Sequence, residues 1–224
     1  NWNANSESDR IGYRLFRNAE PLWEDEEVPL DTLMAQASSE WSSSEDAYNT
    51  IDDYEESYWA PRVEANQPLT GQWIELVQTA TTIVSALQLN WQQSYAAADY
   101  DIQAWNEDAW ITVEQIRNNT EALNNVVLQQ PYRTDRLRLL ILRGTRPETD
   151  FQPLRLIELK IYQRPYQDIL NFTDTISDGA YGYTVTALNQ YGFESLSSAT
   201  ASVASGDIEA PEPVILSAEI ADAN

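Results

Sequence analysis

The feature that most constrains this chain is a set of short stretches alternating apolar and polar residues, a period that suits strands and not helices. Ile11 to Phe16 (IGYRLF), Trp73 to Val77 (WIELV), Ile83 to Trp91 (IVSALQLNW) and Tyr100 to Trp105 (YDIQAW) read this way. So do Leu137 to Leu142 (LRLLIL), Leu156 to Tyr162 (LIELKIY) and Tyr181 to Leu188 (YGYTVTAL), most of them rich in β-branched or aromatic types. Turn-like stretches such as Asn66-Gln67-Pro68 and Ser177-Asp178-Gly179 divide them. No long apolar stripe at helical spacing stands out. Residues 112–127 (TVEQIRNNTEALNNVV) have room for a turn or two of helix, but their Asn-rich centre argues for a loop. Many strands without a βαβ rhythm predict an all-β protein built from antiparallel sandwiches.

Composition then narrows the function. At 224 residues the chain holds one large domain or two small ones, and 42% hydrophobic with 11% aromatic content excludes a disordered acidic tail. It has no Cys and no His, which removes disulfides, thiol nucleophiles, the Ser-His-Asp triad and nearly every zinc site. Oxygen-ligand metals and carboxylate chemistry stay open. The 36 acids against 13 bases give a formal charge of −23, which opposes encounter with nucleic acid or anionic membranes. The longest apolar stretches fall far short of the ~20 residues of a membrane span, and no signal-peptide pattern is present. The first and last residues read as cuts through a longer polypeptide.

Charge and tryptophan are unevenly spread. All eight Trp lie within the first 110 positions. Segment 131–165 carries seven Arg and Lys160 against four acids, whereas no base follows residue 165. The favoured reading of that basic segment is an internal counterweight to acidic neighbours, with a local anion-attracting patch as the alternative. The run Glu24-Asp25-Glu26-Glu27 reads as a solvated junction.

Between about Pro29 and Gln163 an ordered set of motifs carries a resemblance. It comprises ASSE at Ala37, NTIDDYEESYW at Asn49 to Trp59, QWIEL at Gln72 to Leu76 and LQLNW at Leu87 to Trp91. YDIQAWNEDAW at Tyr100 to Trp110, RLRL at Arg136 to Leu139 and IELKIY at Ile157 to Tyr162 complete it. In order and spacing these resemble the discoidin-like domain, also called the coagulation factor 5/8 type C domain, whose bacterial sugar-binding members form carbohydrate-binding module family 32. The resemblance implies an eight-stranded jelly-roll, with Trp59, Trp73, Trp91 and Trp110 as core packing and Trp105 less clearly placed.

The flanks resemble something else. Trp2 to Asn18 looks like the end of strand B and strand C of a bacterial fibronectin type III domain, and residues 172–198 look like its strands E, F and G. Tyr181 sits at that family's tyrosine-corner position, and Asn189 with Gly192 makes the F–G turn. The expected architecture is therefore a discoidin-like jelly-roll nested within a fibronectin type III-like, immunoglobulin-like sandwich. Residues 1–27 and 166–205 supply the host, 28–165 the insert, and 206–224 a linker and the start of a further β domain. Insertion is tolerated where the host's strand ends meet at an exposed loop.

The discoidin resemblance also implies a site at the loop end of the jelly-roll, where a sugar face stacks on an aromatic ring and Arg, Asn or acidic groups hold its hydroxyls. The candidates are Trp41, Arg62, Glu64, Asn66, Tyr95, Arg143, Arg146 and Phe151, with Trp41 foremost. The family's sugar-site His has no counterpart here. The family loop at 49–59 wraps a structural calcium ion. Asp52, Ser57 (for the family Thr) and Glu158 match its ligands, while Asp53 replaces a Gly and Tyr54 an Asp or Asn. Calcium binding and a metal-free closure of the loop both remain open. The family supplies no catalytic pair, so no enzyme activity is expected.

The leading expectation is a non-catalytic, lectin-like adhesion module of a longer extracellular, surface or fibre protein. Its partners would be a cell-surface or polysaccharide glycan and neighbouring β domains of the same chain. The alternative is a purely structural or decorating module of a viral tail (hence virion) or adhesin fibre, with homo-oligomers in the fibre case.

Overall fold

The computed structural model describes residues 9–63, 69–146, 152–168 and 171–206. The expected residues Glu64, Asn66, Phe151 and Trp2, and the segment 207–224, lie outside the described residues. Strand β1 (Arg10–Arg17) is followed by two short pairs of strand residues, β2 (Glu20–Pro21) and β3 (Glu26–Glu27), and by β4 (Leu33–Ala37). Then come β5 (Trp73–Trp91), β6 (Ala97–Trp105), β7 (Trp110–Ile116), β8 (Leu123–Gly144) and β9 (Leu156–Gln163). Strands β10 (Gly179–Asn189) and β11 (Ala201–Ser205) close the described chain.

Seven strands, β3 to β9, form one hydrogen-bonded sheet that is folded into a sandwich. The expected strands at 73–77 and 83–91 are one continuous β5, and Leu137 to Leu142 is the last part of the 22-residue β8. These two run antiparallel and bend together at an irregularity between Val77 and Thr82. Before the bend β5 lies between β4 and the end of β8, with β6 and β7 beyond; after it β5 lies between the start of β8 and β9. Because neither strand is interrupted, seven strands do the work of the expected eight.

Apolar alternation lines the space between the layers. Trp59, Ile74, Leu76, Leu89, Tyr100, Ile102, Ile141, Leu156 and Ile161 are fully buried there. Each such side chain contributes roughly 1.5–3 kcal/mol by leaving water. Trp91 joins them, but Trp73 and Trp110 are only half-buried, which corrects their assignment to the core. Trp110 lies instead under the Arg138 guanidinium, 4.3 Å from its ring centre, and edge-on to Trp105 at 5.4 Å. Segment 112–127 also departs from expectation. It holds the end of β7 and the start of β8, with the loop confined to the residues between them.

The flanks pair with each other. In the second sheet, ordered β11-β10-β1-β2, Tyr13 lies opposite Ala187, Leu15 opposite Val185 and Arg17 opposite Tyr183. The β10 hairpin turns on Asn189, whose side-chain oxygen accepts the N–H groups of Tyr191 and Phe193. A second sheet that would close a fibronectin-type sandwich is not found among the described residues.

A knot of charge joins the two sheets. Glu194 accepts from Arg14 at 3.2 Å, Arg164 at 2.9 Å and the Thr186 hydroxyl at 3.0 Å, while Asp25 accepts from both arginines at 3.4 Å. Glu27 lies 3.4 Å from Lys160, and Glu26 accepts from Gln163. Within the acidic run 24–27, Asp25, Glu26 and Glu27 thus clamp the junction between the sheets, while Glu24, Glu26 and Glu27 stay exposed, as the solvated junction expected from composition requires. The run also begins the jelly-roll's sheet at Glu26, ahead of the expected boundary at 28.

Two outcomes follow. Glu194→Gln leaves two largely buried guanidiniums short of a counter-charge and should cost about 2–3 kcal/mol in denaturant unfolding. Gly192 has φ +89°, and a Cβ there would meet Ile83 at 3.0 Å and the Arg133 nitrogen at 3.3 Å. Gly192→Ala should therefore cost about 1–3 kcal/mol and loosen the hairpin, read as faster amide exchange at Arg133.

Candidate functional site

The loops at one end of the jelly-roll are tied into a rim by main-chain and hydroxyl bonds. Trp41 N–H donates to the Ala60 carbonyl at 2.9 Å, and the Ser39 hydroxyl accepts the Arg62 N–H at 3.0 Å. The buried Trp59 indole donates to the Ser39 carbonyl at 3.0 Å, anchoring both loops to the core. Trp41 and Arg62 are therefore carried on adjoining loops. The Trp41 side chain is half-buried, and the exposed Arg62 guanidinium makes no ion pair among the described residues.

Across the rim, Thr145 N–H donates to the Ala96 carbonyl and Arg155 N–H to the Tyr95 carbonyl. Here the structure brings Tyr95 and Arg146 together in an unexpected way. The Arg146 guanidinium lies 4.0 Å from the Tyr95 ring centre and that of Arg155 lies 4.2 Å from it, while Arg155 also covers Tyr58 at 4.9 Å. Each guanidinium–ring contact contributes about 0.5–1 kcal/mol at exposed sites. Tyr95 thus carries two guanidinium contacts, which compete with a sugar for its ring. Arg143 is committed too. Its Nε and Nη2 grip Asp99 at 2.7 and 3.1 Å, and Nη2 also donates to Asn118 Oδ1 at 3.0 Å. The Arg143 bond, with the Asn118 N–H, holds the Asp99 carboxyl below the usual range.

Sequence reasoning missed Arg155 and Tyr58. The signal available was an arginine immediately before the β9 pattern, at the strand end nearest these loops. What it could not supply was the stacking partner, sixty positions away.

The acidic loop lies beside this rim. Asp52 Oδ1 accepts the Tyr54 N–H at 3.0 Å, and the Ser57 hydroxyl approaches Asp52 at 2.8 Å, the Tyr54 carbonyl at 2.9 Å and the Asn49 carbonyl at 3.5 Å. Four oxygen-bearing groups therefore gather at one point, the donor set that a hard cation such as calcium prefers. Asp53, in place of glycine, has φ +56° and so keeps the left-handed turn. Glu158 has other company. Its Oε1 is buried without a hydrogen-bond partner, 3.7 Å from Lys160, whose ammonium also lies 3.7 Å from Asp53 and 3.4 Å from Glu27. Burial, opposed by Lys160, pushes the Glu158 carboxyl up. Among the described residues no three acidic side chains gather as a metal site.

The model of the F5/8 type C domain matches residues 34–151. The chain belongs to the F5/8 type C domain family. Solved structures of similar fold include the family 32 carbohydrate-binding module of NanJ from C. perfringens, in complex with galactose. It shares 16% identity at a TM-score of 0.53, over 62% of this chain and 100% of that one. Chitosan-binding module 1 of a chitosanase/glucanase from Paenibacillus sp. IK-5 shares 23% identity at 0.50, over 58% and 95%. A Clostridium perfringens module in complex with GalNAc-β-1,3-galactose shares 16% at 0.51, over 61% and 99%. No curated protein matches the chain. In this F5/8 type C domain the rim just described is formed by the loops at the ends of β4, β5 and β8.

Removing Lys160 tests the neighbouring charge cluster. Burial works against its ammonium, but Glu158, Glu27 and Asp53 outweigh that and raise its pKa, so its stabilisation is present at neutral pH and lost only in strong alkali. Glu158, with its pKa raised, binds a proton more readily in the folded chain, which favours folding in acid. Lys160→Met should therefore cost about 1–2 kcal/mol at pH 7, and the deficit should shrink as acid protonates Glu158, in urea titrations across pH.

Proposed function

We propose that the chain is a non-catalytic carbohydrate-binding module whose loop rim holds a glycan. The observation that carries this reading is the pairing of Trp41 and Arg62 on adjoining loops fixed by Ser39 and Trp59. An indole offers its face to sugar C–H groups, and a guanidinium without an ion pair among the described residues offers several donors to hydroxyls. Arg146 and Arg155, braced on Tyr95, add donors beside them. Glu64, Asn66 and Phe151 are proposed as further contacts on the resemblance alone. The likeness to modules solved with galactose or GalNAc-β-1,3-galactose supports a glycan as the ligand class.

The wider setting proposed is a longer extracellular or cell-surface protein, in which β1, β2, β10 and β11 form one half of a fibronectin type III-like spacer. Weak single-site affinity would be made useful by tethering or by repetition. Calcium, when bound, would be held by Asp52, Ser57 and the carbonyls of Asn49 and Tyr54, and it would stiffen the loop leading to Trp59.

Trp41→Ala should weaken binding on a glycan array by about tenfold or more while the melting temperature stays within a few degrees. Binding that survives the change unaltered would remove this ring from the site. Absence of any glycan ligand for the unaltered chain would favour the decorating module of a fibre. For calcium, millimolar ion should raise the melting temperature over that in chelator, and Asp52→Asn should abolish the increment. Equal melting in both would leave Lys160 as the cluster's own cation.

A further inference from the structure

Bases are scarce in this chain, and most of those described take a carboxylate. Arg10 grips Asp168, Arg17 grips Asp174, Arg117 grips Asp101 and Arg136 grips Glu75. Arg155 does not, although the chain offers 36 acids to 13 bases. Its Nη1 donates to Gln92 Oε1 at 2.7 Å and its Nη2 to Gln152 Oε1 at 3.0 Å, so neutral amide oxygens stand where carboxylates would serve. The second N–H on each Nη reaches no acceptor among the described residues, and Nε is buried without a partner.

This uncompensated guanidinium is held still. The rings of Tyr58 and Tyr95 lie 4.9 and 4.2 Å from it. Its main chain exchanges two bonds with the loop at 92–95, the Arg155 N–H donating to the Tyr95 carbonyl and the Arg155 carbonyl accepting from Gln92, each at 3.0 Å. Arg146 converges on the same Tyr95 ring at 4.0 Å, with its Nε on the Ser94 carbonyl at 3.1 Å. The antiparallel bridge between Trp59 and Leu156 sets the chain leading to Arg62 beside Arg155. Tyr58, Tyr95, Arg146 and Arg155 are each half-buried, so the stack keeps an edge in solvent. On the Trp41 loop the acids are engaged, Glu40 with the Ala47 N–H and Glu45 with the Ser42 hydroxyl.

We propose that the glycan held at the rim carries a sugar carboxylate, of the hexuronic acid class, received by Arg155 with Arg62 and Arg146 beside it. This rests on the reading of the rim as a glycan site and narrows it to one class. A guanidinium fork matches the two oxygens of a carboxylate, and a fork already fixed loses little freedom on binding. The two Gln side chains orient it without cancelling its charge. A neutral sugar would leave that charge unmet. A densely sulfated chain would meet the repulsion of the whole molecule at −23. A single carboxylate in contact with Arg155 escapes most of that repulsion, because salt screens charges farther than about 8 Å away under physiological conditions.

The test is calorimetric titration of the full chain with a galacturonic acid trimer and with its methyl ester, which keeps the shape and removes the charge. NMR follows the Trp41 indole N–H in parallel. The acid trimer should shift that signal and bind about tenfold more tightly than the ester, and the ratio should fall in about 0.5 M salt. Arg155→Lys keeps the charge and loses the fork, while Arg62→Gln removes an exposed charge; each should cut the ratio to about threefold or less. A rim merely loosened by substitution would weaken both trimers alike and leave the ratio unchanged. Equal binding of acid and ester, with Trp41 shifted, would overturn the proposal and leave the rim a site for neutral glycans. A ratio unmoved in both variants would overturn it by placing the preference elsewhere. Binding of neither trimer would overturn it too, with the glycan array deciding the rim by itself. Phosphatidylserine vesicles bound in place of both trimers would make the anion a lipid headgroup and end the proposal.

Discussion

The structure depends on the pairing of β5 with β8, two strands that pass from one layer to the other without releasing each other. A sheet bent in this way keeps its main-chain groups hydrogen-bonded through the corner, where a pair of separate sheets would expose edges. The register also decides which residues face inward, because a slip of one position would turn Ile74, Leu76 and Leu139 outward. From the pairing follows the placing of both ends of the molecule. The loops at Trp73 and Trp91 gather into the rim, and the bend at 78–82 receives the flanking hairpin.

Charge organises the surface around that frame. With 36 acids to 13 bases, few basic residues are idle. Arg14 and Arg164 hold the two sheets together, Arg136 satisfies the buried Glu75, Arg143 takes Asp99, and Lys160 serves three carboxylates. Arg136, Arg143, Lys160 and Arg164 of the basic segment 131–165 thus act as the internal counterweight that composition favoured. Two others, Arg138 and Arg155, have no ion pair among the described residues and are spent on rings instead. Arg138 covers Trp110, and Arg155 covers Tyr58 and Tyr95.

What was legible in the sequence was local. Strand β1 and strand β10 showed through alternation, and the order of motifs from ASSE to IELKIY carried the family. The start of β8 was hidden because its Asn-rich lead-in looks like loop. In the folded chain Asn124 accepts from the Trp91 indole at 3.0 Å and the Tyr100 hydroxyl at 3.1 Å, so a polar residue fits a strand by serving two buried donors. Val126 and Leu128 face the core while Val127 is 74% exposed, which blurs the alternation. At the rim, Trp41 and Arg62 were readable as loop residues. The Arg146–Tyr95–Arg155 stack was not, since its members belong to separate loops and only the sandwich brings them together.

The adjacency of β1 and β10 has a mechanical consequence. Tension drawn along the polypeptide from β1 to β11 passes across the β1–β10 ladder, where Arg14 lies opposite Thr186 and Phe16 opposite Thr184, in shear. The 130-odd residues of jelly-roll hang as a side loop whose entry and exit are held by the same pair of strands. A pull along β1 and β11 therefore leaves the rim and its rings undistorted until that pairing gives way.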